Sequence, residues 1–178
     1  MITIFIIASL AALLAVLWLC AICAKRWAAS LKRRREYMEA FFKHANGVYD
    51  EAMQPVPASI TVMIDAMVDG TMDKDFANGI ILALTSGPAG RSLSAEKRRE
   101  LDAANKAISQ EQARHLILAV LYAGLASAEC SGVLGRQKAK VFIAMLQNPP
   151  RAKETAQKVI RMDWSDHDLH VDDNHAAA

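Results

Sequence analysis

The sequence is poor in aromatic residues and in cysteine, and nowhere does it sustain the alternation of a half-buried strand. Phe, Trp and Tyr make up 6% of its 178 residues. Sandwiches and barrels fill their pleated faces with aromatic and β-branched side chains, so the composition argues against an all-β fold. Three cysteines, Cys20, Cys23 and Cys130, form no framework spacing, which excludes a disulfide scaffold. The first two lie in an apolar run, where a thiol behaves as a small hydrophobe. Cys130 is expected to be a buried, inert thiol. The set fits a domain in a reducing compartment. A formal net charge of +2 is too small to argue for nucleic acid. Nor is there a glycine-rich phosphate loop, a metal-ligand spacing or a nucleophile motif. No cofactor is implied.

What the sequence does have is helix formers and one long charge-free stretch. It is 53% hydrophobic and 22% charged, which excludes wholesale disorder. Ala, Leu, Met, Lys, Arg and Glu recur throughout. Residues Ile2 to Ala24 carry no charge and span roughly 35 Å as a helix, enough to cross a hydrocarbon core of about 30 Å. Only Met1 precedes the run. Lys25, Arg26, Lys32, Arg33, Arg34 and Arg35 follow it. Positive residues stay on the cytoplasmic side, and indoles favour the interface, where Trp18 and Trp27 bracket the inner end. The expectation is a retained anchor with its N-terminus outside and the rest cytoplasmic, as in a bacterial inner membrane. A signal peptide would carry its positive charge before the apolar run and a small-x-small cleavage site after it. The Ala8/Ala12 and Ala11/Ala15 pairs are read as plain alanine content rather than a packing motif.

Beyond the anchor the apolar period is helical. Leu31, Met38, Phe42, Ala45, Tyr49 and Ala52 form one stripe of a helix over Trp27 to Met53, within which an Asn46-Gly47 pair offers an earlier stop through a left-handed cap. Pro55 and Pro57 break the chain. Ile60, Met63, Ile64, Met67 and Val68 mark a helix over 59–69 that stops at Gly70. Asp73 is placed to cap a third helix bearing Phe76, Ile80 and Leu84. Ser94 introduces a polar helix, and Ser109 with Gln112 has the form of a capping box ahead of LILAVLYAGLASA. That segment, flanked by His115 and Glu129, reads as a central buried helix rather than a second span. Helices over 133–147, with Leu134, Val141 and Phe142, and over 151–162 complete the pattern. The expected fold is all-α: a single N-terminal transmembrane helix (1–24), a basic juxtamembrane helix and Pro-containing linker (25–57), a cytoplasmic bundle of about five or six helices (58–162) and an acidic, His-containing tail (163–178).

Each candidate site has a plain structural reading beside it. The run Lys32 to Arg35, with Lys25 and Arg26, suits lipid headgroups at about 1 kcal/mol each, and it also sets topology. Nucleic acid is disfavoured, because no aromatic groove accompanies the run. His167, His170 and His175 among the aspartates of the tail could ligate a metal, but their spacing fits no motif, and a solvated tail is preferred. Asp65, Asp69, Asp73 and Asp75 fail the spacing of a calcium loop. His115 and Cys130, about 20 Å apart on one straight helix, cannot form a nucleophile pair. His44 would reach Cys130 only through the tertiary fold. The methionines are read mainly as core filler. These observations favour a membrane-anchored interaction module: an accessory, assembly or regulatory subunit contacting lipids and another membrane protein or complex, with self-association left open. The alternatives are an enzyme at the lipid surface, which asks for a pocket of converging polar groups, and a lipid or nucleic-acid tether.

Overall fold

In a computed structural model, residues 2–50, 56–86, 95–148 and 152–160 are described. All secondary structure among them is helical. The helices are α1 (Ile2–Asp50), α2 (Ala58–Gly70), α3 (Phe76–Ser86), α4 (Ala95–Ala107), α5 (Gln110–Cys130), α6 (Gly132–Gln147) and α7 (Ala152–Ile160). Packing divides the chain into two units, Met1–Arg33 and Arg34–Ala178.

The first unit is helix alone. From Ser9 to Ala21 every side chain is exposed, including Leu13, Leu14 and Leu17. A stretch of helix that is apolar and exposed all round is suited to lipid, where its backbone is satisfied internally. This segment is long and apolar enough to cross a membrane.

The second unit is built on α5, which packs against α2, α3, α6 and α7. Its start is fixed by the capping box expected from the sequence: Gln112 N donates to Ser109 Oγ (3.0 Å) and Ser109 N to Gln112 Oε1 (2.8 Å). Its small residues Ala119, Ala123, Gly124, Ala126 and Ala128 are buried, so neighbouring helices approach closely. α5 is also long and apolar enough to cross a membrane, but two thirds of its apolar window is buried inside the fold. Protein already occupies the faces it would show to lipid.

Several sequence expectations shift in the fold. α1 runs through Asn46-Gly47 to Asp50, as the helix expected up to Met53 requires, and the earlier stop is not used. Its core face is Phe41, Ala45 and Val48, whereas Phe42, Tyr49 and Leu31 of the anticipated stripe are exposed. Phe41 and Phe42 lie on adjacent tracks, and it is Phe41 that enters the core cluster. On α6, Phe142 is buried as expected, but Leu134 is 65% and Val141 36% exposed. Asp73 makes a two-residue turn, its Oδ1 accepting from Asp75 N, and α3 starts at Phe76. Ser94, Ala52 and the tail with its histidines lie outside the described residues.

Candidate functional site

The residues singled out for lipid contact fall in both units. Lys25, Arg26 and Lys32 are exposed, as are Trp18 (67%) and Trp27 (70%). Arg35 pairs with Glu39 one turn on, at 2.9 Å between well-exposed side chains, a contact of small energetic weight. Arg34 is half-buried and internally used. Its Nη2 donates to Thr71 O at the end of α2 (3.4 Å) and lies against the Met72 sulfur. A cation there meets the negative end of the α2 dipole. Met72 is exposed, while Met63 and Met67 sit in the core.

The α2–α3 connection is tied down by several side chains from outside it. A loop must find partners for its carbonyls, and side chains from α5 and α6 supply them. Ser127, fully buried on α5, donates to Asp73 O (2.5 Å) and accepts from Ala77 N (3.0 Å), so it caps α3 from another helix. Lys74 O accepts from Ser131 Oγ (2.8 Å) and Lys138 Nζ (3.1 Å). Cys130 is exposed rather than buried, with its thiol 3.8 Å from Thr71 O. The sequence misplaced it because α5 ends there: Ser127 and Ala128 of the last turn are buried, and the exposed Cys130 follows them. Beside the loop is an open groove of about 470 Å³ bordered by Lys74, Asp75, Asn78, Ser131 and Lys138. One of its two amines is already hydrogen-bonded to the loop. Replacing Ser127 by Ala should leave the buried Ala77 N–H and the part-buried Asp73 carbonyl without this partner, at a cost of about 1–3 kcal/mol. A lowered denaturation midpoint checks this; an unchanged one would mean that the hydroxyl is dispensable.

A second polar cluster lies where α1 meets α5. Gln112 Nε2 donates to Val48 O (3.2 Å). One turn away, His44 and His115 bring their Nδ1 atoms to 3.2 Å. The His44 ring also stacks on Tyr122, with centroids 5.6 Å apart and planes 8° from parallel. Val48 meets Gln112 while His44 meets His115 and Tyr122, so the two helices run antiparallel. Gly47 makes the approach possible: a Cβ there would fall 2.5 Å from His115 Nδ1. The glycine that offered an optional early stop in the sequence is a seat for an imidazole. Burial first, then the neighbouring His115, Lys43 and Arg114, push His44 below the ordinary histidine range. His115 lies 15 positions from Cys130, about 22 Å along the helix, so neither histidine on this seam serves that thiol. Among the described residues no three His, Cys, Asp or Glu side chains converge as a metal site.

No family model, curated protein or solved structure matches the chain. The reading of function rests on the residues themselves.

Proposed function

We propose that this protein is a membrane-tethered helical module that binds another membrane protein or complex as an accessory, assembly or regulatory subunit. The observation that carries the reading is the double membership of α1. From Ser9 to Ala21 it is apolar and exposed on all sides, which is costly in water and favourable in lipid. Its later residues Phe41, Ala45 and Val48 belong to the core of the second unit. One helix is therefore both anchor and structural member. The cations from Lys25 to Arg35 follow the apolar segment and favour a cytoplasmic second unit, with Lys25, Arg26 and Lys32 free to meet anionic headgroups.

The test is the native mass of the full chain extracted in mild detergent, with co-purifying chains identified. The expected result is an assembly of defined stoichiometry larger than one chain. A lone monomer, unchanged on gentler extraction, would overturn the accessory-subunit reading and leave only the tether.

A further inference from the structure

The α1–α5 seam holds two imidazoles from positions 71 residues apart. With Nδ1 facing Nδ1 at 3.2 Å, one ring must donate and the other accept. That arrangement needs at least one neutral ring. With both protonated, two N–H donors and two positive charges stand face to face. The surroundings do nothing to relieve this. From α5, His44 is faced by His115, Arg114 and the Tyr122 ring; from its own helix Lys43 acts on it. Three of these four carry or can acquire positive charge, and no carboxylate is among them. His44 and His115 are half-buried, so water screens the repulsion only in part. Nor can the rings slide apart within the closed seam. His115 is seated on Gly47, and Val48 is held to Gln112 on the next turn.

We propose that the His44–His115 contact is a pH-sensitive latch, holding the second half of α1 on α5 at neutral pH and releasing it in mild acid. Release uncovers the buried face of Phe41, Ala45 and Val48, an apolar surface closed at neutral pH. The sign follows from linkage. His44 binds its proton less readily folded than unfolded. The closed seam is therefore fully favoured above the ordinary imidazole value of about 6.5 and loses ground as the pH falls below it. The latch concerns the seam itself and holds whatever partner the protein has.

The experiment is amide hydrogen exchange on the full chain in detergent, at about pH 7.5 and about pH 5, corrected for the chemical rate. Residues 41–48 are expected to lose protection by on the order of tenfold or more in acid, while α3 and α6 keep theirs. His44→Gln and His115→Gln each keep a hydrogen-bonding side chain that cannot charge, and each should hold the seam closed at both values. A wild-type seam equally protected at both, or one that loosens identically in both variants, overturns the latch. Should a variant fail to fold, the wild-type histidine ¹³C titration decides. His44 must titrate below the ordinary range, over the interval in which protection is lost. A midpoint at or above that range refutes the proposal.

Discussion

Arginine at both Leu13 and Leu17 is expected to move this protein from the membrane fraction, resistant to alkaline extraction, into the supernatant. The two positions are one turn apart on α1, near the middle of the charge-free run, and exposed by 60% and 58%. An arginine at the centre of a spanning helix costs about 2.5–3.5 kcal/mol on the insertion scale, and the leucine it replaces contributes favourably. Two such changes total about 6 kcal/mol, on the order of ten-thousandfold in partitioning. Neither leucine is part of the buried core of the second unit, so its helicity and melting should be unchanged. That separates loss of the anchor from loss of the fold. A double variant that still resists extraction would show that the apolar run is not what holds the chain, and the membrane-tether reading would fall with it.

The second large effect is expected at the crossing of α5 and α6. Gly124 faces the Phe142 ring so closely that a Cβ would overlap it, and Phe142 is fully buried. Gly124→Ala should therefore destabilise by about 1–3 kcal/mol through overpacking, outweighing the helix propensity gained. Phe142→Ala should cost about 3–5 kcal/mol by opening a cavity. The two changes share one volume, so they should not add. In the double variant the new methyl enters space the ring has vacated, and the double-mutant cycle should give a coupling of at least about 0.5 kcal/mol. Denaturant melts of the four proteins measure it. Strict additivity would place the ring elsewhere and undermine the α5–α6 packing, the most extensive among the described helices.

Some of this architecture was readable residue by residue. Ser109 and Gln112 lie three positions apart and satisfy each other's backbone groups, a purely local device. The charge-free run, the stop of α2 at Gly70 and the buried face Ile60, Met63, Ile64 and Met67 are equally local, since each depends on spacing within a few turns. The exposed Cys130 and the outward Leu134 and Val141 were not readable, because apolar character states a preference for burial without naming the neighbour that provides it.

The sequence by itself determined the all-helical class, the apolar segment suited to a membrane, and most helix boundaries, because these depend on composition and short-range period. Tertiary structure alone decided which of Phe41 and Phe42 faces inward. It carried α1 past Asn46-Gly47, assigned Ser127 to cap a helix 50 residues away, and joined His44 to His115. Each of those outcomes depends on what another helix presents at a distance of a few ångströms. Chain-local physics leaves the choice between adjacent faces nearly degenerate, and packing against a specific partner resolves it.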